Sequence, residues 1–356
     1  MSTLMLAALD SLVPDPRGRL SDISTTVMAI SQHTAFSPES QELRAKPRQR
    51  GIYLIANQRS AAECCNLIYS IRQSGCSLPI RVIPYGGEPL RLRIPLEGVQ
   101  LLSISDFPRE ALQFLEELEK RIPQCSPGLL RRFLAWFGEF EEFLYSDNDV
   151  VALMNWEELF RFLDDYEIVH ADQEYLTGGI FNASQPELFE ELLGPGALEK
   201  AMTAGHFLCR RSSRHMIDLL GALAWMEAHP EIPKWHDQTL LHVTLARANW
   251  RVLNLCKPPY NWASSWAGDY KNVLDLLQTV QAAHRPISHL HYSGGVATGA
   301  KPIEELLFSR FTASERSRRL LWVLVREISG LTAIQDLAAR AKRKVTRSTN
   351  LEASSK

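Results

Sequence analysis

An α/β fold, with a mostly parallel sheet flanked by helices, is what this sequence predicts. Three observations carry it. From Arg50 onward, short apolar runs of strand type alternate with segments of helical period. Four of the strand-like runs are followed by polar or glycine-rich clusters, "ANQR", "SDND", "TGG" and "HYSGG". In open α/β sheets, ligand sites gather beyond the carboxyl ends of strands. Finally, 356 residues at 45% hydrophobic and 22% charged are enough to bury a substantial core.

Residues 1–48 show no firm period and are read as an N-terminal extension. "IYLI" from Ile52 is a buried strand, and "SAAECCNLIYSIRQSG" a helix with Ser60 as N-cap and Gly75 as stop. "LPIRVIPYGG" and "VQLLSISD" are the second and third strands. Strand–helix–strand order argues parallel pairing. "DFPREALQFLEELEKRI" and "PGLLRRFLAWFGEF" follow as helices, and "EEFLYSDNDVV" as a strand running into an acidic turn. "WEELFRFLDDY" is a helix and "EIVHADQEYLTGGIFNAS" returns to strand. "SQPELFEELLG" has an early Pro and a terminal Gly, the asymmetry of a helix. "SSRHMIDLLGALAWMEAHP" is another helix, and "RVLNLCKPPYNW" and "ISHLHYSGG" are late strands.

No apolar run approaches the roughly 18 residues that a membrane span needs, and "MSTLMLAALDSLVPDPRGR" lacks the features of a signal peptide. The six cysteines form no C-x-x-C pair and are read as buried thiols. Both features lead us to expect a cytoplasmic protein. Charge is uneven. Residues 310–356 hold eleven Lys/Arg against four Asp/Glu, a net +7, which leaves −9 for the rest of a chain of net −2. The apolar "LLWVLVREISGL" beside "AARAKRKVTR" makes residues 309–356 a basic helical tail, a candidate contact to the inner face of an anionic membrane. No nucleic-acid motif accompanies the charge, so nucleic acid is not expected as a partner.

The acidic turn Asp147-Asn148-Asp149 admits several readings. In isolation such a triplet is a turn, because Asp and Asn bond their own backbone. A calcium loop fits at Asp147, Asp149 and Glu158 but fails at Val151 and Ala152, where a ligand and a glycine are required. A phosphatase nucleophile pair would follow the first strand, and this pair lies mid-chain. The reading left beside the plain turn is a clamp for a divalent cation and a diphosphate.

The neighbours favour the clamp. "IYLIANQRSAA", "FLYSDNDVV", "YLTGGIFNAS", "HDQTLLHVTL" and "HLHYSGGVATGAKP" occur in that order. Together they resemble the GT-A-fold retaining glycosyltransferases of the glycogenin and bacterial lipopolysaccharide galactosyltransferase family. They answer to its first strand and its "LYLDxD", "FNAGVFL", "DQDxLN" and "HYxGxxKPW" segments. The resemblance covers roughly residues 50–305. It implies a mixed, mostly parallel GT-A sheet over residues 49–308, and transfer of a hexose from a nucleotide-diphosphate sugar (UDP-hexose favoured) to a glycan, lipid or protein acceptor.

The resemblance also implies roles. Asp147, Asp149 and His291 become ligands to Mn²⁺ or Mg²⁺, with the nitrogen donor favouring Mn²⁺. His289 is set aside as pointing away. Ile55, Ala56 and Asn57 face base and ribose, with Arg59 nearby, and Asn57 stands where the family carries an acid. Arg131 or Arg132 meets phosphate or sugar, and Asn148 lies with the donor. Thr177, Gly178 and Gly179 stand at the donor sugar. Asp237 and Gln238 lie near the anomeric carbon, as binder of a sugar hydroxyl and stabiliser of the oxocarbenium face. Gly294 and Lys301 approach the diphosphate. "NWASSWAGDY" is a candidate acceptor platform. A sugar-1-phosphate nucleotidyltransferase would need a Gly-rich basic loop that "ANQRSAAECC" lacks. The alternative kept open is a non-catalytic scaffold that binds nucleotide sugar or glycan.

Overall fold

β1 (Arg50–Ala56), β2 (Ile80–Pro84) and β3 (Val99–Leu101) pair in parallel, and β4 (Glu142–Ser146) joins the other side of β1, also parallel. Their apolar runs are continuous because both faces are covered. On one face Tyr53, Ile55, Phe143 and Tyr145 enter one core, and on the other Ile52, Leu54 and Leu144 enter a second. The structure is a computed structural model, and it describes residues 48–92, 97–172, 183–212, 214–270 and 285–292. The chain divides into Met1–Pro47 and Arg48–Lys356, and every described residue lies in the second unit.

α1 (Ala61–Gln73) connects β1 to β2 and ends at Gly75, whose φ of +89° is the left-handed stop expected of it. Its start differs from expectation. Ser60 makes no side-chain cap bond; the Asn57 side-chain oxygen accepts from the Ser60 N–H at 3.0 Å, and Ser60 Oγ accepts from the Asn57 N–H at 3.1 Å. α2 (Arg109–Arg121) forms as read. "PGLLRRFLAWFGEF" does not make one α-helix. It makes a single α-turn, α3 (Pro127–Leu130), and then a 3₁₀ helix over Arg131–Phe137. Three residues per turn bring i and i+3 into line, and Phe133 accordingly stacks on Trp136 with centroids 5.7 Å apart. Trp156–Asp164 is likewise 3₁₀.

The acidic turn is where the chain changes sheets. β4 belongs to the main sheet, whereas β5 (Val150–Ala152) pairs antiparallel with β9 (His289–His291) in a second, two-stranded sheet. β6 (Ile168–His170) is shorter than read. α4 (Pro186–Leu193) is as read, but β7 (His206–Arg210) was not anticipated. β7 inserts antiparallel between β4 and β6, and β8 (Val252–Asn254) closes the edge parallel to β6. The main sheet is therefore β3-β2-β1-β4-β7-β6-β8, mixed and mostly parallel, with helices on its faces. This is the arrangement that the resemblance implied. α5 (Arg214–Ala228) and α6 (His236–Arg247) pack on the Phe143 face. Among the described residues, no helix is long and apolar enough to cross a membrane. The basic tail lies outside the described residues.

Candidate active site

β4 delivers Asp147 to the carboxyl edge of the main sheet, and the next two residues carry Asp149 toward the small sheet. The register there is decisive: Val150 pairs with His291, so β9 sets the imidazole beside the carboxylates. Ligand atoms of Asp147, Asp149 and His291 all lie within 4.8 Å of one another. His291 Nε2 is 3.4 Å from Asp149 Oδ1. Backbone bonds lock the frame. The Asp147 N–H donates to Gly205 O at 2.7 Å, the Tyr292 N–H to Asp149 O at 2.9 Å, and the His291 N–H to Ser265 O at 2.7 Å.

Gly205 is part of this cradle, and sequence reading missed it. A Cβ there would come within 2.3 Å of His291 Cε1 and 3.1 Å of Asp147 Oδ2. No side chain fits without displacing the cluster. Thr203-Ala204-Gly205 precedes β7, so it keeps an Ala-Gly pair ahead of an apolar strand, as in "FNAGVFL". That was the available signal. Thr177, Gly178 and Gly179, which we matched to that segment, lie outside the described residues, as do Gly294 and Lys301.

Arg132 joins the acidic turn to α6. Its guanidinium is 3.4 Å from Asp147 Oδ2 and 3.3 Å from Asp237 Oδ2, and it lies over the Tyr145 ring at 5.5 Å. Arg132 is 3% exposed. Burial works against its charge, but Asp147, Tyr145 and Asp237 together raise its pKa further still, so it stays a cation. Burial pushes the Asp147 carboxyl above its usual range, although Arg132 offsets part of the rise. Asp149 goes the other way: burial opposes ionisation, but the nearby His291 outweighs it and holds the pKa down. Tyr145 donates its hydroxyl proton to Asp147 Oδ1.

The two arginines thus part company. Arg131 donates to the carbonyl of Pro84 and props the end of β2. Asp237 and Gln238 stand in the first turn of α6, where Gln238 Oε1 accepts from the Ala204 N–H at 3.1 Å. The segment 203–205 therefore touches three polar groups in succession. Thr203 N–H donates to Asp172 Oδ2 at 3.1 Å, Ala204 to Gln238, and Gly205 O accepts from Asp147. Asp172, two residues beyond β6, is a second residue that the sequence reading missed. It pairs with His170 Nδ1 at 2.8 Å, and its Oδ1 is buried with no hydrogen-bond partner among the described residues.

Several placements differ from expectation. His289 does not point away, because residues two apart on a strand share a face. It stands beside His291 but stacks on His206, with centroids 3.7 Å apart. Ile55 and Ala56 are core side chains, so that loop offers backbone there. Asn57 spends its side-chain oxygen on the turn to Ser60, and Asn148 donates to Ser60 Oγ at 2.6 Å. Arg59 is exposed. The "NWASSWAGDY" tract is largely support: Trp262 and Tyr270 are buried and Ser265 anchors His291, whereas Trp266 is partly exposed.

No family model and no curated protein matches the chain. Solved structures give low-identity likenesses. The galactosyltransferase LgtC, in complex with donor and acceptor sugar analogs, is 17% identical over 75% of this chain and 99% of its own, with a TM-score of 0.48. The WbbM bifunctional glycosyltransferase, in its apo structure, is 12% identical over 89% of this chain and 64% of its own, at 0.43. Mouse xyloside xylosyltransferase 1, in its apo form, is 11% identical over 70% and 99%, also at 0.43.

Proposed function

We propose that this chain is a metal-dependent glycosyltransferase that moves a hexosyl group from a nucleoside-diphosphate sugar to an acceptor hydroxyl, with retention of configuration. The observation that carries the reading is the convergence of Asp147, Asp149 and His291 at the carboxyl edge of the sheet, cradled by Gly205. Two carboxylates and an imidazole fit a divalent cation, and the nitrogen favours Mn²⁺ over Mg²⁺. Such an ion, when bound, supplies positive charge to the departing diphosphate.

The protein's own groups do the rest. Asp237 accepts a hydrogen bond from a donor-sugar hydroxyl, and Arg132 fixes its carboxylate relative to Asp147. Asp172 offers the same sugar its Oδ1, which has no hydrogen-bond partner among the described residues. Gln238, tethered to Ala204, presents its amide to the face opposite the leaving group, where positive charge develops on the anomeric carbon. The acceptor attacks from the leaving-group side, and its proton passes to the departing phosphate oxygen. Gly294 and Lys301 complete the diphosphate site, Arg59 flanks the nucleotide, and the basic tail at residues 309–356 brings the enzyme to an anionic membrane surface.

The test is donor hydrolysis by purified protein with Mn²⁺ across UDP-, GDP- and ADP-hexoses, alongside Asp149→Ala. Wild-type turnover lost in the variant is the expected result. Turnover that survives Asp149→Ala unchanged sinks the metal mechanism. Binding of donor without any turnover favours the non-catalytic scaffold.

A further inference from the structure

The acidic turn is held at three points. The Asp147 N–H donates to Gly205 O, ahead of β7, and Asp149 O accepts from the Tyr292 N–H, just past β9. Between them the Asn148 amide donates to Ser60 Oγ at 2.6 Å. Ser60 stands at the amino end of α1, where a serine hydroxyl ordinarily accepts from the first N–H groups of its own helix. It makes no such cap bond. Its Oγ accepts from the Asn57 N–H at 3.1 Å and donates back to Asn57 Oδ1 at 3.1 Å. Asn57 Oδ1 accepts in turn from the Ser60 N–H at 3.0 Å.

A hydroxyl has one proton to give and two lone pairs to receive. Asn57 takes the proton and one lone pair, and Asn148 takes the other, so Ser60 Oγ has no capacity left. The Asn57 turn fixes the hydroxyl, and the hydroxyl fixes Asn148. The Asn148 side chain runs to Ser60, whereas those of Asp147 and Asp149 converge with His291. A turn tied only at two backbone points pivots about the line between them. A third tie, leaving through a side chain toward another element, removes the pivot. Any such pivot would carry the two carboxylates away from the imidazole, which β9 holds separately.

We propose that Ser60 is a positioning residue for the metal centre. Through Asn148 it sets the acidic turn so that Asp147 and Asp149 present their oxygens together beside His291. The proposal rests on reading those three residues as the metal ligands, and adds to it the group that keeps two of them in place. Partners outside the ligand shell matter in this way because they orient the ligands before an ion arrives.

Calorimetric titration of Mn²⁺ alone into the full chain tests this, with wild type, Ser60→Ala, Asn148→Ala and the double variant. The titrations are run well below every melting temperature, so that affinity reports the folded site and not its stability. Each single variant should bind Mn²⁺ about tenfold more weakly, the lower end of the loss seen for partners outside the ligand shell. The double variant should be no weaker than the weaker single one, because either change alone breaks the same bond. The proposal is overturned if Ser60→Ala or Asn148→Ala binds Mn²⁺ as wild type does. It is also overturned if the losses multiply in the double variant, since the two residues then act separately. Wild type that binds no Mn²⁺ overturns the metal reading itself, and this proposal with it.

Discussion

Gly205 illustrates how a single residue can matter by what it lacks. Its Cβ position is taken by His291 and Asp147, so Gly205→Ala must push the imidazole or the carboxylate out of place. We expect Gly205→Ala to lose Mn²⁺ binding in a calorimetric titration at least tenfold while its far-UV spectrum stays that of wild type. Retained affinity would show that the cluster is not the metal site. Asp147 and Asp149 were legible in the sequence because D-x-D after an apolar run is a local pattern. Gly205 was not, because its requirement is set by residues about sixty before it and over eighty after it. Arg132 was legible as a basic residue near the turn, but its separation from Arg131 was not: adjacent side chains leave a helix in different directions, and only packing says which is buried.

At the scale of elements, β4 has a polar end at each terminus. Its carboxyl end holds Asp147, and its amino end holds Glu142, which is fully buried and bonded to Arg48 at 2.7 Å and Arg50 at 2.8 Å, with Arg210 of β7 at 3.1 Å. These three strands' worth of charge stitches the β1–β4–β7 edge. Burial opposes ionisation of Glu142, but the arginines win and hold its pKa below the ordinary value. A depressed carboxylate pKa stabilises the fold above the unfolded-state value, near 4.3, and that contribution is lost as pH falls through the folded-state value. We therefore expect urea stability to drop below pH about 4, and Glu142→Ala to be flatter with pH there. At neutral pH, Glu142→Ala should cost about 1 kcal/mol, because Arg48 and Arg50 are nearly half exposed and turn to water once the carboxylate is gone. An equal slope in both proteins would remove Glu142 from the account. The 3₁₀ helices and β7 escaped sequence reading for a related reason. Helical periodicity does not separate 3.0 from 3.6 residues per turn over seven to nine residues, and a five-residue strand such as "HFLCR" carries little pattern of its own.

For the whole molecule, the site is a meeting of two sheets. The main sheet supplies Asp147, and the β5–β9 pair supplies His291 across a sequence gap of over 140 residues. An ion held by both should resist their separation. If Mn²⁺ binds only the folded chain, a concentration of 100 times its dissociation constant adds about 2.7 kcal/mol to stability. The melting temperature should rise with Mn²⁺, return on adding EDTA, and be indifferent to Mn²⁺ in Asp149→Ala. A melting temperature unmoved by Mn²⁺ in wild type would separate the two sheets from any metal link.

By itself the sequence determined the alternation of strands and helices, the mostly parallel sheet and the acidic turn at Asp147–Asp149. Each of these is written in local periodicity, composition or the order of short segments, which survive without knowledge of contacts. Only the tertiary structure decided the rest. It placed β7 antiparallel in the middle of the sheet and put Thr203–Gly205, not an open loop, against the carboxylates. It buried Arg132 between Asp147 and Asp237, and it tied Asn148 to Ser60. Those outcomes depend on register and on which side of a packed element faces the cleft. Both are settled by long-range burial that no window of sequence contains.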